Sequence, residues 1–302
     1  MGMRLSHALL IALLGSGAAI ALLAQRPFKE YPAIEYNNYP IPPDSNTKTD
    51  WVRARLRYPD IYGYPQRQLF LQDRSITDVC RPGSECMDYP GYWTMDYPRS
   101  DRHLLAGVQR LTRINTRLAE QVVDLDGTDD VYNWPMMYAV EVGHWYLPDD
   151  QAKQLGEFLL RGGFLMVDDF HGATEWRNFV YSMSRALPNG KIVDLPNDDP
   201  IFHTIYDLDE RFQVPGAQYF DTGKEYESGM DRDERGQPDY TAGRTPHWRG
   251  IYDDKGRVIV AICHNMDLGD AWEVSDEARY PEKWASLAYR IAMNYFVYDL
   301  TH

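Results

Sequence analysis

Only three cysteines occur among 302 residues, and none lies in the first 24. A lipoprotein anchor is therefore not expected, and neither is a dense disulfide scaffold. No Gly-x-Ser-x-Gly elbow, His-Glu-x-x-His pair, Cys-x-x-Cys pair or glycine-rich phosphate cradle is present, which removes the common hydrolase, zincin and nucleotide signatures. Basic residues are scarce: 31 Lys and Arg stand against 45 Asp and Glu, a formal net charge of −14. Such a surface repels phosphate backbones and anionic lipid, so nucleic acid is not an expected partner.

Apolar content is ordinary for a folded protein, and tyrosine is abundant, at 22 residues beside eight tryptophans. These aromatics suit either a packed core or stacking surfaces for a sugar or peptide. The first 24 residues stand apart. Arg4 precedes the uncharged run Ala8 to Ala24, and Ala19-Ile20-Ala21 has the small-x-small form of a cleavage site. Residues 1–24 read as a signal peptide or N-terminal membrane anchor, short for a spanning helix. The rest is expected to be exported, periplasmic or secreted, and to meet the membrane only through that segment. Residues 25–50, rich in Pro, Tyr and Asn, read as a linker or an arm laid over the domain.

Residues 51–302 read as a single α/β domain with an inserted, loop-rich segment, 59–97. Trp51 to Tyr58 alternates apolar residues with arginine and predicts a strand. Cys80 and Cys86 flank a turn within the insertion and are a disulfide candidate. A helix is predicted from Ser100 or Asp101 to about Thr112, then short strands at Val122-Val123 and Met136 to Val142. Pro148-Asp149-Asp150 opens a helix that Gly162-Gly163 stops. Phe164 to Val167 is the next strand. Strand, helix and strand in so short a span imply a parallel pair with a right-handed crossover. A helix over Glu175 to Leu187, a polar region from Ala217 to Asp254, a hairpin ending in Val258 to Cys263, and a helix over Pro281 to Tyr298 complete the pattern. Asp231-Arg232-Asp233-Glu234-Arg235 reads as a solvated loop. Cys263 reads as a buried small hydrophobe.

Two strand ends concentrate chemistry. Phe164 to Val167 runs into Asp168-Asp169-Phe170-His171-Gly172, and Val258 to Cys263 into His264-Asn265-Met266-Asp267-Leu268-Gly269-Asp270-Ala271-Trp272. In open α/β sheets, ligands bind beyond the carboxyl ends of the strands. Asp168, Asp169, His171, His264, Asp267 and Asp270 are the catalytic candidates. His144, Asp169, His171, Asn265, Asp267 and Trp272 are the ligand-binding candidates, and His203 is a further histidine near a turn. Adjacent strand residues point to opposite sides, so only one of Asp168 and Asp169 is expected to face the crevice. Carboxylates with imidazoles suit a divalent metal or a general acid and base. No spacing matches a known ligand motif, so no cofactor is assigned and a divalent metal stands as an alternative.

Five pieces carry a resemblance: Ala54-Arg55-Leu56-Arg57-Tyr58, Trp93-Thr94-Met95-Asp96-Tyr97-Pro98, Gly162 through Gly172, Pro200-Ile201-Phe202-His203, and Asn265 through Trp272. With these the chain, from about Trp51 to Tyr298, resembles bacterial domain-of-unknown-function family 4159. That family is similar to the class I glutamine amidotransferase-like folds, including the trehalose-utilisation type. The resemblance implies a flavodoxin-like three-layer sandwich with a mostly parallel sheet. It also places a strand-to-helix elbow at Val167 to Gly172, where amidotransferases carry a catalytic cysteine. Asp and His stand there instead, so thiol-dependent glutamine hydrolysis is not expected. Some relatives are joined to membrane-linked von Willebrand-type proteins, which implies an envelope protein partner. The expectation is a non-catalytic ligand-binding or assembly module. A metal-assisted or acid/base hydrolase is the alternative, and an envelope scaffold with braced loops is a third.

Overall fold

The computed structural model describes residues 26–36, 39–60 and 91–302. The expected signal segment and the Cys80–Cys86 pair lie outside these residues. Among the described residues seven strands form one mixed sheet: β1 (Ala54–Arg57), β2 (Gln121–Asp124), β3 (Met136–Val140), β4 (Phe164–Asp168), β5 (Ile192–Asp194), β6 (His247–Tyr252) and β7 (Val258–His264). Their spatial order is β2-β1-β3-β4-β7-β6-β5. The first five in that order run parallel, while β6 and β5 are antiparallel additions at one edge. Among the described residues six α-helices accompany the sheet: α1 (Arg99–Leu111), α2 (Asp149–Leu160), α3 (Gly172–Ala186), α4 (Gln218–Thr222), α5 (Leu268–Glu273) and α6 (Glu282–Thr301). None of the described helices is long and apolar enough to cross a membrane.

Strand alternation divides the core into two layers. Met136, Tyr138 and Val140 of β3 face one side with Phe164 and Met166, where Leu104, Leu105 and Val108 of α1 and Ile291 and Tyr295 of α6 cover them. Met137 and Ala139 face the other side with Leu165 and Val167, against Leu155 and Phe158 of α2 and Phe179 and Met183 of α3. Each strand of the parallel centre is thus buried on both faces, as a parallel sheet requires. The α/β reading holds, with a mostly parallel mixed sheet flanked by helices.

Several local expectations need correction. Helix α3 starts at Gly172 rather than Glu175, because Asp231 reaches across to cap it. Its Oδ2 accepts from the Ala173 amide at 2.6 Å, and its Oδ1 from the Thr174 hydroxyl. Asp231 is therefore a capping group and not merely part of a solvated loop. Short β5 was not foreseen; it pairs only with β6 at the sheet edge and has too few residues to show a period. The arm packs on the domain. Arg102 donates to the carbonyls of Tyr39 and Pro40 and pairs with Glu30 at 2.8 Å. Tyr31 meets Trp93 edge to face.

Candidate functional site: an acidic crevice at the strand tips

All five parallel strands point their carboxyl ends at one rim. Their tips are laced by backbone hydrogen bonds. Glu141 N donates to Asp168 O at 3.1 Å, Asp169 N to Met266 O at 3.1 Å, and Asn265 N to Phe170 O at 3.0 Å. To make these turns the chain adopts positive φ at non-glycine residues: Asp96 (60°), Glu141 (51°), Asp169 (54°) and Asn265 (63°). Among the described residues these are the non-glycine positions with positive φ, and all four belong to this rim. Such conformations persist only where the surroundings enforce them, and they gather at functional sites.

A cavity of about 450 Å³ opens there, lined by Glu35, Asp96, Glu141, Asp169, Glu227, Asp267, Asp270, Glu273 and Glu277. Nine carboxylates meet from the arm, the segment before α1, the ends of β3 and β4, the polar region, and α5 with the residues flanking it. Arg99 and Arg279 also line it. A groove of about 600 Å³ between α1 and α6 is larger, but none of the close triads of ligating groups described below includes its residues.

The carboxylates are held, not loose. Asp267 is the N-cap of α5, its Oδ1 accepting from Asp270 N at 2.7 Å. Asp270 in turn accepts from Ala217 N, and Glu227 Oε1 from Gly216 N at 3.1 Å. Glu35 Oε2 accepts from Asp96 N at 2.7 Å. His171 Nε2 lies 3.0 Å from Asp169 Oδ1 and 3.7 Å from Glu227 Oε2. Asp96 is 1% exposed, yet its Oδ2 has no hydrogen-bond partner. A buried carboxylate oxygen left so costs free energy that a ligand can recover.

Burial and crowding disfavour the charged forms. Burial first, then Asp270 and Glu273, raises Asp96 well above the carboxylate range. Burial, then Glu141 and Glu227, does the same to Asp169. Burial, then Asp169 and Asp270, does so to Asp267. Glu227 is pushed up to about 8 and Glu273 to about 9, by burial and then by Asp270. Burial lowers His171 to about 3, so its imidazole is neutral and free to act as a ligand. A bound cation would replace the protons this crowd otherwise takes up.

Sets of three groups offer ligand atoms mutually within 4.8 Å: Asp169, His171 and Glu227; Asp96, Asp169 and Asp267; Glu227, Asp267 and Asp270; Asp96, Asp270 and Glu273. Two oxygens bound to one divalent cation stand at most about 5 Å apart, since each bond is roughly 2.0–2.6 Å. The triads therefore fit cation coordination. A neighbouring set joins Glu141, His144 and Glu175. His144 Nδ1 lies 2.9 Å from Glu141 Oε2, and Tyr92 stacks on the ring. Gly216 keeps the space open: a Cβ there would stand 2.1 Å from Asp267 Oδ2, 2.4 Å from Asp270 Oδ2 and 2.6 Å from Glu227 Oε1.

Among the sequence candidates, Asp169, His171, Asp267 and Asp270 meet in the crevice, with His144 beside it. Four others do not. Asp168 is fully buried below the rim, where Oδ2 accepts from Leu268 N (2.7 Å) and Gly269 N (2.9 Å), bracing α5. Asp169 lies just beyond the strand, where the turn at its positive φ carries it to the rim. His264 donates from Nε2 to Gly172 O at 3.1 Å and packs against Phe170 and Trp176. Asn265 Oδ1 accepts from Gly172 N at 2.8 Å, and its amide donates to Ala242 O and Thr245 O. Trp272 is fully buried beneath Tyr138 and Arg53. His203 binds Asn197 O and Asp207 elsewhere. Sequence reasoning missed Glu35, Asp96, Glu141, Glu227 and Glu273. Asp267, Asp270 and Glu273 at three-residue spacing share one helix face, and that signal was readable.

Residues 86–300 match the family described as Domain of unknown function (DUF4159). The chain belongs to this family. No curated protein gives a significant match. The matched span holds most of the crevice; Glu35 of the arm lies outside it.

Proposed function

We propose that this DUF4159 protein is an exported, cation-dependent binding module. In this reading a divalent cation sits among the crevice carboxylates and takes hold of a sugar or peptide ligand. The single observation that carries it is the convergence of nine carboxylates from distant segments around a cavity in which Asp96 Oδ2 is buried without a partner. Oxygen-rich donor sets suit calcium, magnesium or manganese. Export rests on the N-terminal segment, and the envelope partner on the family resemblance. The finer fold reading is flavodoxin-like. In support, the five parallel strands taken alone run 2-1-3-4-5, the flavodoxin-like order, and the crevice lies at the carboxyl ends near the β1/β3 switch point.

A metal-assisted hydrolase is the second reading, favoured by His171 Nε2 at 3.0 Å from Asp169 Oδ1. An imidazole as weakly basic as this is a poor general base at neutral pH, so binding is the reading we prefer. Thermal melts with manganese or calcium, then with sugars and peptides added, test the proposal. A cation-dependent rise in Tm that a sugar or peptide extends supports it. A melt unmoved by either cation removes it, and turnover of a ligand in the presence of cation promotes the hydrolase.

A further inference from the structure

We infer that the crevice holds two divalent cations in unlike seats, joined by the carboxylate of Asp267. The inference rests on the cation-binding reading above and says more than it does. Two of the close triads share no residue: Asp169, His171 and Glu227 on one side, and Asp96, Asp270 and Glu273 on the other. Asp267 belongs to neither, yet it forms close triads with members of both, once with Asp96 and Asp169 and once with Glu227 and Asp270. A carboxylate between two ligand sets, within reach of each, is the arrangement of a bridging ligand in two-metal sites.

One ion cannot serve the whole cluster. The close sets are overlapping triads and not one ring, and the reach of a metal–oxygen bond limits how far apart two ligands of one ion can be. The second seat also carries a vacancy in hydrogen bonding, since Asp96 Oδ2 is buried with no partner. In the first, His171 is 4% exposed and sets Nε2 3.0 Å from Asp169 Oδ1 and 3.7 Å from Glu227 Oε2.

The seats differ in chemistry. The first mixes an imidazole with two carboxylates and suits manganese, iron or zinc. The second is all oxygen and suits calcium, magnesium or manganese. Manganese fits both, which makes it the probe.

The test titrates the purified full-length chain with manganese, counts bound metal, and records the electron paramagnetic resonance spectrum. Two manganese ions per chain with a spin-coupled signal are expected. Added calcium should displace one of them, from the all-oxygen seat, and abolish the coupling. Asp96→Asn and His171→Ala should each retain a single uncoupled ion. Asp267→Asn should lose the coupling; if that variant does not fold, the wild-type signal and its response to calcium decide alone. One ion per wild-type chain overturns the two-seat inference and leaves the cation-binding reading standing. No ion overturns both. Two ions without coupling overturn the shared Asp267.

Discussion

Gly216→Ala tests the crevice with the smallest available change. The added methyl would meet Asp267 Oδ2 at 2.1 Å, Asp270 Oδ2 at 2.4 Å and Glu227 Oε1 at 2.6 Å. Ordinary carbon–oxygen contact lies near 3.3 Å, so each oxygen must retreat by roughly 0.7 to 1.2 Å. None retreats freely. Asp267 caps α5, Asp270 accepts from Ala217 N, and Glu227 accepts from the amide of Gly216 itself. Overpacking of this kind costs about 1–3 kcal/mol. The larger effect falls on the cation, since coordination tolerates only a few tenths of an ångström. Affinity should drop at least tenfold, about 1.4 kcal/mol or more. A cation at a hundred times its Kd stabilises the wild type by about 2.7 kcal/mol, a rise of roughly 5–10 °C in Tm for a domain of this size. Calorimetric titration with manganese and paired melts with and without chelator measure both quantities. A folded Gly216→Ala protein that binds manganese as tightly as the wild type would refute the assignment of this space to a cation.

Three further outcomes are expected. Asp101, fully buried, meets Arg53 at 2.5 Å and Arg55 at 2.7 Å. Asp101→Asn leaves two buried guanidinium groups without their counter-charge and should cost about 3–5 kcal/mol in urea denaturation; a loss under about 1 kcal/mol would contradict that pairing. Burial lifts Asp299 to about 7, with Arg257 pulling it down from 3.8 Å. Its folded form keeps a proton that the unfolded chain releases, so stability is greatest below the unfolded value and falls as pH rises towards about 7. Asp299→Asn should flatten the stability profile over that window, and an unchanged slope would count against it. His264 turns its ring to Gly172 O and away from the acidic crevice. His264→Ala should therefore weaken the fold and leave the number of bound cations unchanged, as metal analysis of the purified variant can check.

The parallel centre of the sheet was legible because it is written locally. Phe164 to Val167 and Val258 to Cys263 are apolar runs of strand length, with glycines or turn residues before them and acid or imidazole after. The αβ punctuation was equally local, in Pro148 before α2 and Gly162 after it. Helix α3 began earlier than its sequence suggested because its cap, Asp231, lies 58 residues beyond Ala173. Strand alternation predicted that only one of Asp168 and Asp169 faces the crevice, but the chain leaves the strand at Asp169, and which of them opens to the crevice was not legible. Tertiary contacts with Leu268 and Gly269 claim Asp168 for bracing α5.

Sequence alone established that this is an α/β chain with polar groups crowded at two strand ends, since hydrophobic period and turn chemistry act over a few residues. The tertiary structure decided what that crowd is. It brought Glu35 from the arm, Asp96 from before α1, Glu141 from beyond β3 and Glu227 from a polar loop to the same hollow as Asp169 and Asp267. No spacing along the chain encodes that meeting, because parallel strands separated by helices align their ends in space whatever their distance in sequence.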